Sequence, residues 1–299
     1  RRPEGQPDRG AATARPLSRR RDGVSRLVLP RKRASAGLSA ARGVRRLVAL
    51  RRGVAVLIKR FNRFEIKYAI PASQLAAFKP DLGRFVKGDA HGVRRGFYSV
   101  ASLYFDTPGL DCYANKVDGL RFRRKLRIRM YPGSDTDAAF VEIKQRINRT
   151  VQKRRLAMSV ADAYRLCAGS VRFKLSDADD QAVADEVRYL VTALQLRPQN
   201  VIAYARQAFV GYSVDPGMRL TFDTLIRTRS AGFDLERPRR MQLAYPAQLA
   251  VMEVKADERV PHWLVSLLAR YQCTLTRVSK YCKGIEALAR RQQQVRTRI

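Results

Sequence analysis

The sequence predicts an α+β protein in which strands curl into a barrel around a charged lumen, with helices covering the outside. Three observations lead there. Strand-like segments alternate charged and apolar residues, so each presents one charged and one apolar face. Amphipathic helical segments are available to cover the apolar faces. The net charge is +34 over 299 residues, which calls for a polyanionic partner.

The alternation is densest in KLRIRMY, Lys125 to Tyr131, where Lys125, Arg127 and Arg129 alternate with Leu126, Ile128 and Met130. Successive cations on one face lie only about 7 Å apart, and their repulsion needs an anion opposite. RFEIKY places Arg63, Glu65 and Lys67 on one face. VEIK places Glu142 with Lys144, MRLTFDT places Arg219 with Thr221 and Asp223, VMEVKA places Glu253 with Lys255, and AYARQA places Tyr204 with Arg206. A single charged strand face is ordinarily a solvated surface. Six such strands, several mixing in a carboxylate, point instead to convergence around bound anions. Phosphate matches the guanidinium forks, and carboxylates beside it suit an oxygen-bound divalent cation.

The elements follow in chain order. FNRFEIKYAIP is a strand ending at Pro71, and SQLAAFKPDLGRFV is helical or broken-helical. FYSVASLYFDT is a strand running into the turn DTPG, where Asp106 is expected to bond local backbone. GLRFRRKLRIRMY and AFVEIKQRI are strands. Ser159 caps a short helix to about Gly169, and Ser176 caps a longer one to about Leu196. NVIAYARQAFVGY, MRLTFDTLIRTR and LAVMEVKA are strands, followed by helices near 261–271 and 277–294.

Residues 1 to 60 hold 18 Lys/Arg and 3 Asp/Glu and show no sustained periodicity. They read as a disordered basic tail, native or the remnant of a processed leader. Four scattered cysteines argue against a disulfide framework. With two histidines, most zinc sites are removed and Ser-His or Cys-His catalysis is not expected. No apolar run reaches the roughly 18 residues of a membrane helix. A cytoplasmic domain is expected, with a membrane protein admitted as a partner.

In order and spacing, RFEIKY, SLYFDTPGLDCY, KLRIRMY, VEIK with its basic cluster, YARQAF, RLTFDT, MEVK and VSKY resemble the VTC domain, a branch of the triphosphate tunnel metalloenzyme (CYTH-like) superfamily. The resemblance covers about residues 61–290 and sets the domain at 61–295. It implies an antiparallel eight-stranded tunnel that binds ATP, another triphosphate or polyphosphate with Mn²⁺ or Mg²⁺ and builds polyphosphate from ATP. Lys67, Arg127, Arg129, Lys144, Arg206, Arg219 and Lys280 then fall at catalytic positions. Substrate contacts would come from Arg63, Lys125 and Lys255, and from Lys153 or Arg154, between which the basic run does not choose. Glu253 matches the metal-binding glutamate, with Glu65 and Glu142 as further candidates. The superfamily's first strand often reads ExExK. Here Arg63 replaces the first acid, which leaves fewer carboxylates for metal. Hydrolysis of triphosphate and binding without turnover remain open beside polymerisation. Sequence-specific nucleic-acid binding is not expected, because carboxylates beside the cations repel a nucleic-acid backbone.

Overall fold

The structure is a computed structural model that describes residues 47–49, 55–57, 63–90, 96–133, 138–148, 150–215, 217–237 and 239–297. The chain divides into two units, residues 1–58 and 59–299. In the first, β1 (Leu47–Ala49) pairs antiparallel with β2 (Ala55–Leu57). Apart from these strands, the tail expected over residues 1–60 lies outside the described residues.

The second unit is built on one antiparallel sheet. Its continuous path is β3 (Arg63–Pro71), β12 (Leu249–Asp257), β10 (Arg219–Arg229), β9 (Arg197–Gly211), β5 (Phe97–Asp106), β6 (Phe122–Met130), β7 (Ala138–Ile147) and β8 (Thr150–Ser159). Two short strands hang from it, β4 (Val86–Gly88) on β9 and β11 (Gln242–Leu243) on β10. The fold is α+β, with six helices among the described residues.

The period-two pattern becomes a pattern of rows across strands. Lys67, Glu253, Thr221 and Ala208 stand opposite one another on successive strands, as do Glu65, Lys255, Arg219 and Val210. On the other half of the sheet the rows are Tyr104–Arg127–Glu142–Arg155 and Lys125–Lys144–Lys153. Charged residues of neighbouring strands thus share one face.

The opposite face is apolar and carries the helices. Leu103, Ile128, Val141, Ile143 and Leu156 pack under α3 (Val160–Cys167) and α4 (Ala178–Ala193), with Leu166, Val187 and Leu190 facing down. Ile70, Leu220, Phe222 and Met252 pack under α1 (Ala72–Leu82) and α5 (His262–Arg270), through Phe78 and Leu264. Full burial of such side chains is worth about 1.5–3 kcal/mol each. Pro80 lies in the last turn of α1, which ends at Leu82. Ser159 caps α3 as expected, accepting from the Asp162 N–H at 3.1 Å. The cap of α4 is Asp177, one residue after the expected Ser176, and its carboxylate accepts from the Asp180 N–H at 2.8 Å.

The charged face turns apolar towards one end, where α6 (Lys280–Arg296) lies on it. Val100, Ile202, Ile226 and Val251 pack there with Val278, Tyr281 and Cys282. The approach requires Gly284, since a Cβ there would sit 2.4 Å from Asn200 Nδ2 and 2.5 Å from Ile202 Cδ1.

Among the described residues the ladder of the expected barrel is not closed. The ladder ends at β3 and β8, which do not pair among the described residues. The outer edge of β3 is met instead by the chain after α5: Thr276 N–H donates to the Lys67 carbonyl at 2.8 Å and Leu275 bridges Tyr68. The sheet nevertheless bends until Lys144 on β7 reaches Glu65 on β3, at 3.2 Å.

α2 (Asp111–Val117) was not expected from the sequence. It follows Leu110, whose φ is 60°. The buried carboxylate of Asp106 organises this corner, accepting from the N–H groups of Thr107, Cys112 and Tyr113 at 2.8, 2.8 and 2.9 Å, and from the Tyr281 hydroxyl of α6. Each stranded buried donor costs about 1–3 kcal/mol. Asp106→Ala is therefore expected to destabilise the protein by more than about 3 kcal/mol, read as a lower urea midpoint; an unchanged midpoint would show the corner to be dispensable.

Candidate functional site

The charged face is held together by three groups of ion pairs. The first surrounds Glu142. The register sets Glu142 between Arg127 on β6 and Arg155 on β8. Its Oε2 meets Arg127 at 2.6 Å and Arg129 at 3.9 Å, and its Oε1 meets Lys153 at 2.7 Å and Arg155 at 2.8 Å. The side chain is only 1% exposed. Burial alone would push this carboxyl up, but the surrounding cations outweigh it and hold it far below the usual range.

The second group lies on β3 and β12. Lys67 bonds both Glu65, at 2.8 Å, and Glu253, at 3.3 Å. Glu253 also takes Lys255 at 2.8 Å, and Glu65 takes Lys144 from across the sheet. Burial opposes ionisation of Glu65, yet Lys67, Lys144 and Lys255 bring its carboxyl down to about 2. Glu253 is likewise held well below the usual range, against its burial, chiefly by Lys67 and Lys255.

The third group centres on Asp223, which is fully buried. Arg206 grips it with two bonds of 2.6 and 2.9 Å, and Lys280 from the start of α6 meets it at 2.6 Å. Nearby, Arg219 bonds Asp89 at 2.8 Å and the Tyr98 hydroxyl at 2.9 Å.

Between these groups three lysines face one another across the strands. Lys125 donates to Ser279 at 3.0 Å and has no carboxylate partner among the described residues. It faces Lys144 directly, and Lys144 faces Lys153. Burial pushes all three ammonium groups down. Tyrosine hydroxyls fill some of the gaps. Arg127 donates to Tyr104 at 2.8 Å, Arg129 to Tyr204 at 3.4 Å, and Arg155 to Tyr131 at 3.1 Å. Burial would raise the Tyr104 phenol, but Arg127, Arg129 and Lys125 outweigh it and bring it down to about 8.

The structure therefore brings together Lys67, Lys125, Arg127, Arg129, Lys144, Lys153, Arg206, Arg219, Lys255 and Lys280, along with Glu65, Glu142 and Glu253. Arg154 does not join them. It pairs with Ile143 in register, points to the helix side and binds Glu186 of α4 at 2.5 Å. Arg63 lies in β3 opposite Asp257, and its side chain is outside the described residues. Arg155, Tyr98 and Tyr104 were missed. Arg155 has the same parity as Lys153 in KRRL, a signal that becomes readable only once that run is recognised as a strand.

Both oxygens of each metal candidate, Glu142, Glu65 and Glu253, meet cations, and Glu142 is the most buried of the three. Glu65 and Glu253 converge at Lys67, on adjacent strands. No cluster of three or more His, Cys, Asp or Glu suited to a metal occurs among the described residues. All four cysteines are free thiols, and no helix among the described residues is long and apolar enough to cross a membrane.

The family description "VTC domain" matches residues 62–289. No curated protein matches the chain. Among solved structures, the chain is similar to a Bacillus halodurans protein described as a candidate adenylate cyclase. Identity is 15%, coverage 72% of this chain and 92% of that one, and the TM-score 0.44. It is also similar to a Hippeastrum protein described as a candidate adenylyl cyclase with a dominant triphosphatase activity. There the identity is 14%, coverage 75% and 95%, and the TM-score 0.43.

Removing one partner from a buried ionic cluster costs about 3–5 kcal/mol, and Glu142→Gln is expected to lower stability by that amount in denaturant unfolding. An unchanged midpoint would mean that the four cations do not depend on it. Absorbance titration is expected to show one tyrosine ionising near pH 8, ahead of the rest, and to lose that step in Tyr104→Phe.

Proposed function

This chain belongs to the VTC domain family, and we propose that it performs divalent-metal-dependent phosphoryl transfer on triphosphates, specifically the synthesis of polyphosphate from ATP. The observation that carries the reading is the surplus of cations on the charged face, above all the facing lysines Lys125, Lys144 and Lys153. Burial presses against all three charges, and Lys125 has no carboxylate. An arriving phosphate chain would satisfy them.

On this reading Arg127, Arg129, Arg155, Arg206 and Arg219 cradle a triphosphate, with Lys67, Lys144 and Lys280 as point charges on its oxygens. Tyr98, Tyr104, Tyr131 and Tyr204 hold guanidiniums in place in the absence of substrate. Phosphoryl transfer asks little covalent chemistry of a protein, and positioning with charge neutralisation supplies most of the rate. A terminal phosphate acceptor is already an anion, so no histidine base is needed. The charged face is then the inner wall of a tunnel, with α6 over one end.

Glu65 and Glu253 fit a hard divalent cation such as Mn²⁺ or Mg²⁺. They are oxygen donors meeting at one lysine, and such ions commonly use one or two carboxylates plus substrate phosphates. A cation held there would supply charge neutralisation to the phosphates. Lys67 and Lys255 now occupy these carboxylates and would turn to phosphate when it binds.

The test is incubation of the protein with ATP and Mn²⁺, with and without a short polyphosphate primer, following ADP, free phosphate and long chains. Chain growth with ADP release is expected. Free phosphate without chains would replace the polymerase with a triphosphatase, and binding without either would make it a binding module. Arg127→Ala is expected to cut turnover on the order of 100-fold or more, and Glu253→Gln to raise the metal concentration needed for half-maximal rate. Tripolyphosphate should raise the ionisation of Tyr104 above pH 8, by neutralising the cations that lower it.

A further inference from the structure

We propose a second anion site, remote from the charged face, in which the cavity between the end of β10, the segment after it and α6 takes a soluble inorganic oligophosphate. The cavity has a volume of about 760 Å³ and is lined by Arg229, Arg239, Arg240, Arg291 and Arg296. No aspartate or glutamate among the described residues lines it. The carboxylate of nearby Asp234 is taken by Arg237 at 3.2 Å, and Asp234 offers Arg229 its backbone carbonyl.

Arg229 is the independent observation. It is only 8% exposed, and its buried Nε has no hydrogen-bond partner. A buried donor left open is rare and calls for an explanation. Burial, followed by Arg239 beside it, disfavours the charge on this guanidinium, which stays protonated. An anion in the cavity would offset the repulsion between Arg229 and Arg239. The backbone also makes room for the cluster. Gly232 has φ +59°, and a Cβ there would fall 2.5 Å from Arg239 Cδ. On the α6 side Arg291 donates to Gln242 at 3.2 Å.

The lining selects the ligand. Guanidinium forks match phosphate oxygens in pairs. No aromatic residue lines the cavity, so it lacks the stacking surface that single-stranded nucleic acid uses. Leu288 and Ala231 are its apolar residues, too little to insert into a lipid surface. A single phosphate has too few oxygens to pair with five guanidiniums, whereas a chain of three or more phosphates offers enough. The site is separate from the charged face: Arg291 lies about 16 Å along α6 from Lys280 at 1.5 Å per residue.

Calorimetric titration of the whole protein with inorganic tripolyphosphate, at fixed ionic strength, tests the proposal. Two sites are expected. The double variant Arg239→Ala/Arg291→Ala, at two exposed positions, should weaken one site at least tenfold and leave the other, and ATP turnover, unchanged. Arg127→Ala/Arg129→Ala should remove the other site and spare this one. A single site untouched by Arg239→Ala/Arg291→Ala would overturn the proposal. So would loss of turnover in that variant, which would make the two sites one. Preference for phosphatidylserine vesicles over tripolyphosphate, abolished by the same pair, would also overturn it and make the cavity a membrane contact.

Discussion

The half of the sheet formed by β6, β7 and β8 depends on one buried carboxylate. Glu142 is the only acid on those three strands, and it stands between Arg127 and Arg155 in register. A slip of one residue between β7 and either neighbour would turn its partners to the apolar side and leave the charge alone among Ile128 and Leu156. The pairing of three strands is thereby specified by electrostatics as well as by the apolar face beneath. The demand is steep, because an unpaired buried carboxylate costs several kcal/mol. One residue row further along, Lys125, Lys144 and Lys153 face each other with no acid in line. Like charges directly opposite oppose pairing. Glu142 and the distant Glu65 relieve two of the three by reaching out of their own rows. The charge imbalance that would attract phosphate is thus a local cost that the rest of the fold offsets.

That offset comes from the other face. The clusters under α3 and α4, and under α1 and α5, contain fully buried Ile, Leu, Val and Phe side chains on both sheet and helices. They hold the strands at fixed spacing irrespective of what occupies the charged side. The tyrosines on that side complete the arrangement. Each bonds a guanidinium without adding a full negative charge, so the arginines keep their positions and their surplus. Tyr104 goes furthest, since the cations about it favour its phenolate.

What was legible in the sequence was parity. RFEIKY, KLRIRMY, VEIK, RLTFDT and MEVK each announce their charged face, and the structure puts those faces together. What stayed hidden depends on partners distant in sequence. TVQKRRLAMS reads as a charge run because Lys153, Arg154 and Arg155 are contiguous. Only pairing with β7 sends Lys153 and Arg155 one way and Arg154 to Glu186. The type of Glu142 does not reveal that four cations surround it. The neighbour of β3 was hidden for a similar reason: among the described residues its outer edge is met by Leu275 and Thr276, some two hundred residues on. α2 has little helical signal of its own, and its first N–H groups are held by Asp106 from the preceding strand.

α6 ties these parts to one another. It opens with Lys280, a cation where the helix dipole disfavours one, and the residue is kept there by Asp223 at 2.6 Å. Burial works against that carboxylate, but Lys280 and Arg206 together hold it ionised. Asp223 is therefore shared between the sheet and the helix, and neither cation can be withdrawn without leaving the other to neutralise it alone. One turn further on, Gly284 lets the helix settle against Asn200, Ile202 and Thr228, while the Tyr281 hydroxyl reaches Asp106. The helix is thus fixed at its start by two buried carboxylates and by a contact with no space for a methyl group. Its arginine-bearing end is freer, with Arg291 and Arg296 on exposed positions. An element rigid where it meets the charged face and adjustable where its arginines line the cavity can adapt to a ligand at that far end without disturbing Lys280.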